Sequence, residues 1–143
     1  MKTGQKGIEL IKKFEGCKLT AYKCPAGLMT IGWGNTYYSN GAKVKVGDKI
    51  TQAQADELLL TLLPKYEKTV NNNIKVALTQ NQFDALVSFC WNCGSSNTLF
   101  SKVNLNASDL MEWWKNHYIM GGGKVLQGLV NRRKAESELY QLK

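Results

Sequence analysis

Glu15 is the residue of this chain best placed to handle a proton. It closes an amphipathic stretch, residues 5–15, in which Ile8, Ile11 and Phe14 share one face while Lys12 and Lys13 lie off it. It falls one helical turn beyond Ile11, at the edge of the apolar face, and Gly16 follows as a helix stop. A carboxylate in a last turn feels the negative end of the helix dipole, which favours the protonated form, and partial burial pushes the same way. A carboxyl group that keeps its proton near neutral pH is what a general acid must be. The plainer reading is an ion pair with Lys12 or Lys18, as for most surface carboxylates.

The other reactive side chains are four cysteines, at 17, 24, 90 and 93. No hydrophobic run follows the basic start Met1–Lys6, so no export signal is expected and the cysteines read first as thiols. Cys90-Trp91-Asn92-Cys93 has redox or zinc spacing, but Cys17 and Cys24 are seven apart, poor for a zinc knuckle. A Cys17–Cys24 disulfide is open to the chain if their Cα atoms come within about 7 Å. The single histidine, His117, has no second imidazole to share a metal with.

These residues must be positioned by an α+β arrangement. After the first helix, Gly27, Gly32, Gly34 and Gly41 punctuate runs rich in Tyr, Thr, Ile and Val, which predicts two or three short antiparallel strands between Lys18 and about Val46. Thr51-Gln52-Ala53-Gln54 offers a capping box for a helix from about 52 into the sixties, which Pro64 should kink or break. A second box, Thr79-Gln80-Asn81-Gln82, opens a helix through Phe83, Leu86, Val87 and Cys90. Further helices are expected near 108–117 and over 127–141, the last with an apolar stripe of Leu129, Ala135, Leu139 and Tyr140.

Glu15, Cys24 and Thr30 are spaced as Glu-x8-Cys-x5-Thr, followed by Ile31-Gly32-Trp33-Gly34-Asn35-Thr36. This resembles the phage-type lysozymes of glycoside hydrolase family 24, whose signature is Glu-x8-Asp/Cys-x5-Thr. Three more segments are similar in order along the chain: 14–22 around the glutamate, 82–89, and 128–136 in the C-terminal helix. The resemblance implies a single catalytic domain over residues 1–143. A small sheet-bearing lobe (about 15–50) and a helical lobe (about 73–143 plus the N-terminal helix) would be joined by a long helix at about 51–72. The glycan would lie in the cleft between the lobes. It further implies cleavage of the β-1,4 bond from N-acetylmuramic acid to N-acetylglucosamine in bacterial peptidoglycan. Glu15 would be the acid, with Cys24 and Thr30 as partners on the opposite face of the sugar. Gly34, Thr36, Trp91 and Asn92 would contact substrate, and no metal or cofactor would be needed. The chain departs from the family at Asn35, where the family often has His, and at 116–120 ahead of Gly121-Gly122-Gly123, where the spacing is unusual.

The residues make chemical sense for that reaction. Glycoside hydrolysis commonly uses one proton donor and one group that activates water or attacks carbon. Cysteine's ordinary pKa, about 8.5, leaves some thiolate near neutrality. Thiolate attack would leave a thioglycoside that departs poorly, so Cys24 and Thr30 orienting a water for direct displacement, with inversion, is preferred. Plainer readings are a small buried thiol for Cys24, a β-former for Thr30 and core packing for Trp91, Trp113, Trp114 and Tyr118. Arg132 and Arg133 would hold the lobes together, meet peptide carboxylates, or lie on a solvated helix face.

Charge widens the field. A formal net charge of +8 favours polyanionic company, whether cell wall, acidic membrane face or nucleic acid. A basic, aromatic-rich nucleic-acid binder is the chief alternative, but the lysines are scattered and no nucleic-acid motif appears. A wall-binding homologue without catalysis is the other. No segment reaches the roughly 18 apolar residues that span a bilayer. Without an export signal the protein is expected to wait in the host cytoplasm, as a monomer, until a separate pore protein gives it access to the wall.

Overall fold

A computed structural model describes residues 1–24 and 27–143; the Pro25-Ala26 part of the expected turn after Cys24 lies outside the described residues. Helix α1 spans Gln5–Glu15 and ends at Gly16, whose φ of 64° suits glycine and whose N–H returns to the Lys12 carbonyl. Its N-terminus has no local side-chain cap. The cap comes from Asp84, whose buried carboxylate accepts from Gly4 N (2.9 Å) and Gly7 N (3.1 Å). Gly7 permits this approach, since a Cβ there would stand 2.8 Å from Asp84 Cβ.

Strands β1 (Lys18–Lys23) and β2 (Met29–Gly32) pair antiparallel, with Tyr22 opposite Thr30 and an irregularity between Lys18 and Tyr22. The rest of the expected sheet consists of isolated bridges, Thr20 with Lys49 and Tyr37 with Lys43.

Helix α2 covers Gln52–Asn73. Both halves of its capping box form: Gln54 N donates to Thr51 Oγ1, and Thr51 N donates to Gln54 Oε1. Of the kink or break expected at Pro64, the break does not occur: the helix runs through it. The carbonyl it deprives of a donor belongs to Leu60, which is exposed and open to water. Leu58, Leu59, Leu62 and Leu63 meanwhile hold the helix on the core.

Helix α3 (Gln80–Cys93) opens with the second capping box, and every residue from Phe83 to Trp91 is buried. A helix buried on all sides, its Asp84 and Ser88 satisfied by α1 and α6 (Gln127–Gln141), belongs at the centre of a bundle, and α1, α2 and α6 pack around it. Between α3 and α6 lie α4 (Asn97–Asn104), α5 (Leu110–Asn116) and a hairpin of β3 (Met120–Gly121) with β4 (Lys124–Val125). Neither α4 nor the hairpin was expected. In α6 the stripe of Leu129, Ala135, Leu139 and Tyr140 is only half-buried, and the fully inward residues are Arg132, Arg133, Glu136 and Ser137. Among the described residues no helix is long and apolar enough to cross a membrane.

Candidate active site

A cleft of about 490 Å3 separates the sheet-bearing side of the molecule from the helical side. The sheet-bearing side carries Cys24 after β1, Thr30 on β2, and Gly34 and Thr36 from the following loop, while Glu15 enters from the end of α1. The other carries Trp91 and Asn92 at the end of α3, with the β3–β4 hairpin and the start of α6. All seven residues singled out from the sequence therefore line one cavity. It continues past Gly34, Thr36, Trp91 and Asn92 into a recess of about 230 Å3 floored by Tyr66 and Leu62 of α2.

Glu15 pairs with neither Lys12 nor Lys18. Its Oε2 accepts from Arg132 Nη1 at 2.9 Å, and its side chain is 17 % exposed. Lys12 is engaged elsewhere, 3.7 Å from Asp56 and over the Trp33 ring. The Glu15 carboxyl also lies against Gly34, where a Cβ would stand 2.6 Å from Glu15 Cδ. Gly34 has φ of 85°, so both its backbone and the space beside it call for glycine.

Cys24 and Thr30 are tied to a single carbonyl. Leu28 O accepts from Cys24 N at 2.9 Å and from Thr30 Oγ1 at 3.0 Å, filling both lone pairs. Thr30 is buried and has given its only hydroxyl proton to Leu28, so what its oxygen retains is acceptor capacity. Tyr22, opposite Thr30, also lines the cleft. Burial, then the nearby Glu15 and Cys24 charges, push its phenol above the usual range.

Behind Glu15 and Asn92 lies a buried polar core between α3 and α6. Arg132 Nε stands 3.4 Å from Glu136 Oε2, and its Nη2 donates to Ser88 O at 3.2 Å. Glu136 is fully buried and accepts from Ser88 Oγ (2.7 Å) and Trp114 Nε1 (3.2 Å). Arg133 is fully buried too. Its Nη2 donates to Asn92 Oδ1 at 2.6 Å, its Nη1 to Cys93 Sγ, and its guanidinium stacks over Phe89. Its Nε sits 3.0 Å from Glu136 Oε1 without the alignment of a hydrogen bond. The solvated-face reading of both arginines is thus replaced by a balanced cluster of two guanidinium groups and two carboxylates.

The remaining candidates divide. Trp91 is 8 % exposed, tilted against Tyr66 at 5.0 Å, and its indole donates to Trp33 O, so only an edge reaches the cleft. Trp114 is core, and Trp113 stacks on His117 at 4.3 Å away from the cleft. Asn35, the position where His is common in the family, is buried and accepts from Trp33 N at 3.2 Å, closing the tight turn. No disulfide links cysteines among the described residues, Cys17 and Cys24 included. Burial, then the Glu136 and Cys93 charges, push the Cys90 thiol up to about 12.

Sequence reasoning missed Arg132 as the partner of Glu15, Tyr22 beside the thiol, and the hairpin wall formed by Met120, Gly121 and Gly122. The hairpin had a local signal. Gly122-Gly123, with φ of 59° and 81°, is the pair a two-residue turn between strands prefers. The other two depend on contacts distant in sequence.

The family model for phage lysozyme matches residues 12–136. An endolysin of Acyrthosiphon pisum secondary endosymbiont phage 1 is 38 % identical over 150 residues, covering 99 % of each chain. The endolysin of Lactococcus phage c2 is 42 % identical over 146 residues, and there the match covers 98 % of this chain but 60 % of the relative. Among solved structures, the muramidase domain of SpmX from Asticaccaulis excentricus superposes with a TM-score of 0.84 at 35 % identity, covering 99 % of both chains. The matched span contains every residue of the cleft, from Phe14 to Leu129, and also Glu136 behind it. This chain belongs to the phage lysozyme family.

Proposed function

We propose that the protein hydrolyses the β-1,4 bond between N-acetylmuramic acid and N-acetylglucosamine in bacterial peptidoglycan, acting as a monomer without a cofactor. The observation that carries this reading is the convergence of Glu15, Cys24 and Thr30 on one cleft. Relatives described as endolysins and a muramidase domain support it.

In its protonated form Glu15 delivers its proton to the glycosidic oxygen as the C–O bond breaks, the electron pair leaves with that oxygen, and the carboxylate left behind is the form that pairs with Arg132. A water attacks the anomeric carbon from the other face and sheds a proton to solvent in the open cleft, from which Glu15 is reprotonated for the next turnover. Thr30 suits the orientation of that water, because its oxygen can only accept. Cys24, pinned through the same Leu28 carbonyl, offers a second weak acceptor at its sulfur. Direct displacement of this kind inverts the anomeric configuration.

Clearing of a peptidoglycan suspension by the native chain beside Glu15→Gln tests the assignment. The substitution is expected to cost about two to four powers of ten in rate. Equal clearing by both, or none by the native chain, refutes it. A product with retained configuration, or a trapped adduct between Cys24 and sugar, refutes the displacement by water.

A further inference from the structure

The lysines that read as scattered along the chain are gathered by the fold. Residues 16–50, the sheet-bearing side of the cleft, carry Lys18, Lys23, Lys43, Lys45 and Lys49 against one acid, Asp48. All five lysines are exposed, and among the described residues none of them forms an ion pair. The lone acid is occupied within the lobe, its Oδ2 accepting from Tyr38 Oη at 2.7 Å and from Lys45 N at 2.9 Å. This side of the molecule therefore keeps an uncancelled positive charge.

Three of the lysines share a corner with apolar side chains. Lys45 to Asp48 is a tight turn, closed by Asp48 N on Lys45 O at 3.1 Å, with Gly47 at φ of 88°. Val46 stands at the outer corner of that turn and is 83 % exposed. After the turn the chain runs beside β1: Ala21 N donates to Asp48 O and Ile50 N to Leu19 O, both at 2.9 Å, and Lys49 lies opposite Thr20. The turn is thereby set near Lys18 and Leu19, and Leu19 is 40 % exposed. None of these five side chains lines the cleft or its recess, so a partner held here leaves both open.

We infer that this corner docks on a bilayer surface rich in anionic phospholipid, with Val46 and Leu19 entering the headgroup region and Lys18, Lys45 and Lys49 meeting the phosphates. Charge alone suits any polyanion; the apolar side chains decide between them. A bilayer boundary buries apolar surface and attracts lysines together, whereas a wall polyphosphate engages only the lysines. Each lysine near an anionic leaflet adds roughly fivefold to partitioning, so the contact is reversible and needs no spanning helix.

The test is co-sedimentation of the full chain with vesicles of phosphatidylglycerol and phosphatidylcholine in equal parts, or of phosphatidylcholine alone. The native chain is expected to bind the anionic vesicles only, and less as salt is raised. Lys45→Gln together with Lys49→Gln should lower binding roughly tenfold to thirtyfold. Val46→Ser, which leaves the charge untouched, should lower it about threefold to tenfold. Lys68→Gln together with Lys134→Gln removes the same charge from exposed positions on α2 and α6, and should lower it by less than about threefold, since salt screens charges remote from the bilayer.

Equal binding to both vesicle types, or none to the anionic ones, overturns the inference. A loss from the Lys68 and Lys134 pair as large as that from the Lys45 and Lys49 pair also overturns it, because net charge and not this corner then does the binding. Native-like binding by Val46→Ser overturns it in favour of a plain polyanion site, which retention on inorganic polyphosphate would identify. Sedimentation reads no catalysis, so every one of these results leaves the muramidase reading to its own assay.

Discussion

Replacing Arg132 with Met removes one of two positive charges from a cluster that is balanced as it stands. Glu15 and Glu136 supply the negative charges, Arg132 and Arg133 the positive ones. The methionine fills much of the same volume, so the cost is chiefly electrostatic. Removing one partner of a buried pair typically costs about 3–5 kcal/mol. The lower end applies here, since the Glu15 side chain is 17 % exposed and water can take over part of its solvation, whereas Glu136 keeps Ser88, Trp114 and Arg133. A loss of about 3 kcal/mol corresponds to a fall in melting temperature of about 10 °C for a chain of this size. Adding Glu15→Gln restores the balance of the cluster, so the double variant should regain about 1–2 kcal/mol over Arg132→Met alone. Urea denaturation of the native chain, both single variants and the double variant measures all four corners. A cost below about 1 kcal/mol for Arg132→Met, or a double variant no more stable than that single one, refutes electrostatic coupling through the cluster.

Three further outcomes follow from the geometry. Gly34→Ala should cost about 1–3 kcal/mol of stability and most of the wall-clearing activity, because φ is 85° and the new methyl meets the Glu15 carboxyl; native melting together with native clearing would contradict this. Asp56 accepts from Trp33 Nε1 at 2.9 Å, and this bond, then Gln52 and Lys12, holds its carboxyl below the usual 3.8. A depressed carboxylate adds stability above its unfolded pKa and loses it as pH falls through the folded one. The Trp33 indole proton should therefore titrate by NMR with a midpoint below 3.8, and a midpoint above about 4 would exclude the contact. Cys90, fully buried and with its thiol pushed up to about 12, should resist alkylation at pH 8 in the native protein and react in denaturant; native-state labelling at the rate of half-buried Cys17 would refute its burial.

What the sequence made legible was local. The two capping boxes form with both reciprocal bonds because Thr51 with Gln54, and Thr79 with Gln82, carry all their partners within three residues. Gly16 stops α1 for the same kind of reason. Whether Pro64 would break its helix was not legible, because the cost of a proline depends on whether the orphaned carbonyl can reach water, and exposure at Leu60 is a tertiary property. Arg132 and Arg133 left three readings open: holding the lobes together, meeting peptide carboxylates, or lying on a solvated face. Local sequence does not choose among them, since nothing nearby announces that Glu15, distant in the chain, and Ser88 and Asn92 on α3 enclose them. The cleft residues followed from the resemblance to the lysozyme family. Their supports, the Leu28 carbonyl and the buried cluster, did not, since a spacing pattern records which groups act and not what holds them.

The brace on Glu15 comes from the last helix, 117 residues downstream of the carboxylate it holds. On the ribosome, Glu15, Cys24 and Thr30 emerge early, while Arg132 is still to be translated. A nascent chain thus carries Glu15 unbraced until α6 docks against α3, so the groove is completed by the same event that seals the helical bundle.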